Sequence, residues 1–292
     1  MKKQWRRILC LLLSVVMLCA LAACDTGTTG NNNGDDNGGA QTSDQKITIT
    51  EQTLFEHDGI VVTAKEYVYD TLWGEGIKIS VTNNSDKSYT LSTDALIVND
   101  CMVNSLFVCE VAPGKTANKT LELSSSELKK LGVTPIGQIE AYFYIYDSTT
   151  YETVYTADCV TIKTSHYDQM NAAPNTAGSV LYEQDGIKIV AKELVEDELF
   201  GYGLVLYVEN KTSRNISVDC EELSVNDYMV STLSVITVYK NKYTFDDVTV
   251  FSTDLEENDI TEINKLEMKF HIYDSDTYAT IVDTPAVVYE VK

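Results

Sequence analysis

The sequence predicts an all-β protein: two tandem β-sandwich domains behind a secretory leader and a polar tether. Three observations predict it. The stretch Phe143-Tyr144-Ile145-Tyr146-Asp147-Ser148-Thr149-Thr150-Tyr151 returns 127 residues later as Phe270-His271-Ile272-Tyr273-Asp274-Ser275-Asp276-Thr277-Tyr278. Apolar residues recur at every second position in both copies, the spacing of a strand with one buried face. Turn-forming pairs separate the short apolar runs. Each element is taken below in chain order.

Residues 1–23 read as a lipoprotein signal peptide. Lys2, Lys3, Arg6 and Arg7 precede an apolar run from Ile8 to about Ala23, the charged-then-apolar layout of a secretory signal. Leu21-Ala22-Ala23-Cys24 resembles the lipobox of bacterial lipoproteins, which implies a diacylglycerol on Cys24 and cleavage before it. A plain secretory cleavage site and a retained membrane helix are the alternatives. The apolar run is shorter than the roughly 20 residues a spanning helix needs. Residues 24–46 hold the lipidated cysteine and a tether of Asp, Thr, Gly, Asn and Gln, too polar to offset the entropy of ordering. As a random coil it spans roughly 25 Å. Asp25 after Cys24 resembles an inner-membrane retention signal in Gram-negative bacteria and carries little meaning in Gram-positive ones.

Residues 54–165 align with 181–292 without a gap. The expected domains are 47–165 and 181–292, joined by a linker at 166–180. Positions shared by both copies mark the fold. Asp58-Gly59 and Asp185-Gly186 suit type I′ hairpins. Asn99-Asp100 and Asn226-Asp227 suit a second hairpin in each copy. Ile60, Val62 and Ala64 form one core face, as do Ile77, Ile79 and Val81, and Leu121 with Leu123. Ile139, Ala141, Phe143 and Ile145 form another, with apolar counterparts throughout the second copy. One short helix is expected after a serine cap at Ser125, ending at Gly132, with a counterpart from Ser252. Such short strands in about 110 residues predict a sandwich of immunoglobulin-like layout; a small barrel is the alternative.

The repeats carry Asp-Gly-Ile, Ala-Lys-Glu, Val-Asn-Asp and Ile-Tyr-Asp-Ser. With the lipobox and tether, this combination resembles the uncharacterised cell-surface lipoproteins with tandem immunoglobulin-like domains of clostridial and related Gram-positive genomes. The resemblance covers 54–292. It implies a cell-surface β-sandwich and brings no catalytic residues.

Composition narrows the function further. The formal charge of -22 becomes -26 once the four leader cations leave. Nucleic acid is not an expected partner, because phosphate binding needs clustered Lys and Arg. Of seven cysteines, Cys10 and Cys19 leave with the leader; Cys101, Cys109, Cys159 and Cys220 have no cysteine counterparts in the other repeat. They read as small buried hydrophobes; a Cys101–Cys109 or Cys109–Cys159 bridge is the alternative. No spacing suggests a metal, a cofactor or a catalytic elbow. His57, His166 and His271 are not shared between copies. The acidic run Asp246-Asp247 and Asp254–Asp259 faces Lys119, Lys129 and Lys130 in the aligned copy, charges that could bring the domains together.

The candidate binding face is aromatic. Tyr142, Tyr144 and Tyr146 share the outward side of one strand, and Tyr67 with Tyr69 are expected on another. Exposed tyrosines offer amphipathic contact area to protein or glycan. Asp147, Ser148 and the following Thr-Tyr read as a turn, with Tyr151 plugging the sandwich end. The expected function is a lipid-anchored, extracytoplasmic, non-enzymatic binding or interaction protein on the cell membrane. A cell-envelope enzyme or ligand-delivery component is the alternative.

Overall fold

The computed structural model describes residues 46–70, 74–197 and 199–291. The leader, the lipobox at Cys24 and the tether to residue 45 lie outside them. The described residues belong to one compact unit, Lys46–Lys292. Among them, no helix is long and apolar enough to cross a membrane.

The first repeat folds as β1 (Gln52–His57), β2 (Ile60–Asp70), β3 (Gly74–Asn83), β4 (Tyr89–Val98), β5 (Cys101–Val103), β6 (Val108–Val111), β7 (Lys115–Glu122), α1 (Ser125–Lys130), β8 (Gln138–Asp147), β9 (Thr153–Thr156) and β10 (Val160–Lys163). The second repeats the order: β11 (Ser179–Gln184), β12 (Ile187–Asp197), β13 (Gly201–Asn210), β14 (Ile216–Val225), β15 (Tyr228–Met229), β16 (Val235–Val238), β17 (Lys242–Phe251), α2 (Ser252–Glu257), β18 (Lys265–Asp274), β19 (Thr280–Asp283) and β20 (Val287–Glu290). Each repeat packs two sheets face to face, and none of the sheets closes into a barrel. In the first, β1-β2-β3-β7 covers the sheet that holds β10, β8, β4 and β5.

Local sequence explains the elements. Along β8, burial alternates at every residue, with Ile139, Ala141, Phe143 and Ile145 inside. Asp58 and Gly59 sit at φ 43° and 84°, and Asn99 and Asp100 at 49° and 65°, both residues positive as a type I′ turn requires. Their counterparts in the second repeat do the same. Asn83 is fully buried and ties its loop together. Its Nδ2 donates to Lys87 O (2.7 Å) and Val111 O (3.0 Å), and its Oδ1 accepts from Ser85 N (2.9 Å). Asn210 repeats this network with Arg214, Val238 and Thr212.

Three expectations change. The repeated Ala-Lys-Glu is a β-bulge: pairing slips between Ala64 and Glu66 and again between Ala191 and Glu193. One extra residue reverses which side chains face inward, so Tyr67 points into the core instead of outward and is buried. Ser125 does not cap α1. Ser124 takes the N-cap position without a side-chain bond, and Ser125 Oγ accepts from Glu75 N at 3.1 Å instead. The end of α1 is as expected: Val133 N donates to Leu128 O and Gly132 N to Lys129 O, with Gly132 at φ 77°. Finally, Cys159 is exposed, while Cys101, Cys109 and Cys220 are buried; all four are free thiols.

The two sandwiches share a sheet. β5 pairs in parallel with β17, making a ten-stranded sheet that runs β10-β8-β4-β5-β17-β13-β12-β11, with β6 beside β4 and β9 beside β8 off this path. Val190, Tyr207 and Tyr243 of the second repeat pack into the hydrophobic core of the first. Lys242 Nζ lies 2.6 Å from Asp100 Oδ1 and 2.9 Å from Glu140 Oε1. The basic residues Lys129 and Lys130 form none of the ion pairs among the described residues, so this junction does not use the opposite charges noted in sequence.

Candidate functional site

The five tyrosines singled out by sequence do not form one face. Tyr67 donates its hydroxyl to Glu75 Oε2 at 2.9 Å, and burial raises its pKa. Tyr69 is exposed, and its hydroxyl binds the backbone of Ile47, accepting from N at 2.6 Å. That tyrosine fastens the start of the folded chain to β2. Tyr142 turns to the junction: its ring meets Tyr239 edge-on at 4.9 Å, and Tyr239 in turn donates its hydroxyl to Asp94 Oδ2 at 2.5 Å. Burial and a hydrogen bond with Cys159 raise the Tyr142 pKa. Three of the five are therefore structural.

Tyr144 and Tyr146 remain on the outer face of β8, with ring centroids 6.0 Å apart. The row continues into a residue that sequence had placed elsewhere. Tyr146 stacks on Tyr151 at 6.3 Å with rings 26° from parallel. Tyr151 does not plug the sandwich end; it is 76% exposed. The second repeat builds the same row from His271, Tyr273 and Tyr278, spaced 5.2 and 6.1 Å, and Tyr278 is 78% exposed.

The turn that carries the last ring is built by Asp147. Its carboxylate accepts from Thr149 N (2.8 Å) and Thr150 N (3.2 Å), and these bonds lower its pKa. Asp274 does the same with Thr277 N and Asp276 N. The turn closes with Tyr151 at φ 61° and Tyr278 at φ 58°. Left-handed backbone favours Gly or Asn; a tyrosine there is strained by about 1–2 kcal/mol. The strain is kept in both copies, under a side chain that is mostly in water; the only trace of it in sequence is that Thr150-Tyr151 recurs as Thr277-Tyr278.

Hydroxyls flank the rings. On the neighbouring strand β9, Thr156 pairs with Tyr144 and Thr153 with Tyr146, both threonines exposed. In the second repeat Thr280 pairs with Tyr273, and Asp283 bonds His271 Nδ1 at 2.5 Å. That bond raises the His271 pKa.

Elsewhere the surface is less organised. The cleft at the junction, about 340 Å³, is lined by Asp94, Met102, Ser105, Thr237, Tyr239 and Asp246, a mostly polar set. Burial pushes the Asp246 carboxyl up. Among the described residues no group of three or more His, Cys, Asp or Glu is placed to hold a metal ion. No known family model matches this chain, and no curated protein matches it significantly.

Proposed function

We propose that this protein is a non-enzymatic binding protein of the cell surface, anchored by lipid on Cys24, and that its two aromatic rows grip an extended glycan. One observation carries the reading: the row of three rings is built twice, and each ends in an exposed tyrosine held at positive φ. Ring faces in series with threonine hydroxyls beside them suit a chain of sugars, which presents apolar ring faces and polar edges. The fused sheet holds the two sandwiches in one body, so a glycan long enough to reach both rows gains by effective concentration.

The test is binding of the mature chain to a glycan array and to insoluble cell-wall polysaccharide. Replacing Tyr146 and Tyr151 with Ala should weaken binding roughly tenfold, and adding Tyr273→Ala and Tyr278→Ala should abolish it. Unchanged binding in the four-residue variant refutes the assignment. Anchoring has a separate readout: Cys24→Ala should move the protein from the membrane fraction to the soluble one.

A further inference from the structure

Inside the chain, the β4–β5 hairpin of the first sandwich offers its edge to β17 of the second. The repeat leaves one copy of each half unused. The counterpart of β5 is β15, at one end of the order β15-β14-β18-β19. The counterpart of β17 is β7, at the end of β1-β2-β3-β7. Cys101 on β5 is 1% exposed, yet its counterpart Tyr228 is 52% exposed and Met229 is 64% exposed. Open strand edges with apolar side chains invite pairing with another chain. We propose that β15 of one molecule pairs in parallel with β7 of a second copy, so that the protein assembles head to tail.

The side chains on the two free edges fit this pairing. Within the chain, Tyr243 opposes Cys101 and Thr244 opposes Met102. The same register between molecules sets Thr116 against Tyr228 and Ala117 against Met229. A large residue over a small one becomes a small residue over a large one. The charges correspond as well. Lys115 stands where Lys242 does, and Asp227 and Glu267 stand where Asp100 and Glu140 do; Asp227 already pairs with Lys265 in its own chain, so Lys115 would join that pair as a second cation. At one place the sign improves. Asp246 and Asp94 both line the junction cleft. Their counterparts are Lys119 and Glu221, so two carboxylates become a cation facing an acid; within the chain Lys119 Nζ donates to Val108 O at 2.7 Å, and the neighbouring Glu222 is held by Lys269 at 2.6 Å. Lys115 and Lys119 are both exposed on β7.

The contact is weaker than the one inside the chain. Val190, Tyr207 and Phe245 become Thr63, Ser80 and Asn118 in the first repeat. The edges therefore meet through strand pairing and charge with a small apolar patch, which makes the association reversible and dependent on salt. The contact uses two different surfaces, so it grows as an open chain of copies unless its rotation closes a ring.

Cross-linking of the full-length chain tests this. Thr116→Cys and Tyr228→Cys together should give, on oxidation, a reducible ladder of dimers, trimers and higher species. With Cys24 and the exposed Cys159 first changed to Ser in every variant, each single substitution should give dimers at most. Adding Lys115→Glu and Lys119→Glu should reduce the ladder at least tenfold, and Glu221→Lys with Asp227→Lys should restore it. A double-cysteine chain that cross-links no further than the singles, or a ladder indifferent to charge reversal, overturns the proposal. Sedimentation of the unsubstituted mature chain is the second measurement: mass should rise with concentration and fall with salt, and a fixed monomer mass overturns it. No glycan takes part in either assay, so failure of the aromatic-row reading would leave these outcomes unchanged.

Discussion

Lys242→Met removes the cation that ties the two sandwiches. Its ammonium reaches Asp100 at 2.6 Å and Glu140 at 2.9 Å, and the side chains of Lys242 and Glu140 are each only 14% exposed. Burial disfavours charge on Lys242, and the bonds to Asp100 and Glu140 more than offset it, so its pKa lies above that of free lysine. Breaking a buried pair costs about 3–5 kcal/mol because a carboxylate is left unpaired, whereas an exposed pair contributes about 0.2–1 kcal/mol. Asp100 is 39% exposed and can return to water. Glu140 cannot do so fully, but it keeps a bond from Gln138 Nε2 at 2.6 Å. The expected loss is therefore about 2 kcal/mol, with the methionine chain preserving the packing of the lysine stem. The assay is urea unfolding of the mature chain, with amide exchange read along β5 and β17. Exchange there should rise more than in β8 or β18. Glu140→Gln on the same background should recover part of the loss, since it removes the stranded charge. The stabilisation is fully present below the ordinary lysine pKa and lost only as pH rises through the raised value, so the loss on substitution should stay level from pH 7 to 9. A loss under about 0.5 kcal/mol, or no recovery with Glu140→Gln, would refute the view that this triad joins the sandwiches.

Asn83→Ala should cost about 3 kcal/mol, because it removes the fully buried side chain whose hydrogen bonds organise the loop; denaturant unfolding that shows less than about 1 kcal/mol counts against this. Tyr151→Asn should stabilise by about 1 kcal/mol by relieving left-handed strain while weakening glycan capture; a lower melting temperature would show that the strain was misjudged. His271 should titrate above the ordinary histidine value by NMR, and Asp283→Asn should lower its midpoint. Because the folded-state pKa is raised, this contact stabilises below the ordinary histidine pKa and is lost as pH rises through the shifted value. An unmoved midpoint in the Asp283 variant would place the cause elsewhere.

Much of the fold was legible because it is local and was written twice. Period-2 burial needs only the alternation of side chains along a strand, so Ile139, Ala141, Phe143 and Ile145 declare their face without knowledge of their neighbours. Asp-Gly and Asn-Asp declare their turns because few residues tolerate positive φ twice in succession. Tyr67 was misplaced for an equally physical reason. A bulge inserts a single residue, and beyond it the alternation that reads the face is reversed. Of the candidate site, Tyr144 and Tyr146 were legible as an outward pair, but Tyr142 was not separable from them. What withdraws it is Tyr239, 97 residues further along the chain.

The sequence alone therefore determined two all-β repeats, their turns and their core faces, since each depends on backbone preferences within a few residues. Only the tertiary structure decided that the repeats share a sheet. It also decided that Tyr151 and Tyr278 complete the aromatic rows, and that β7 and β15 are left open. Those features depend on what packs against what: Lys242 is 142 residues from Asp100, and no local pattern specifies which edge a strand will meet. The outward positions Val190, Tyr207 and Phe245, apolar in the second copy and polar in the first, did carry the trace of that meeting. The partner became identifiable only once the chain had brought β5 to β17.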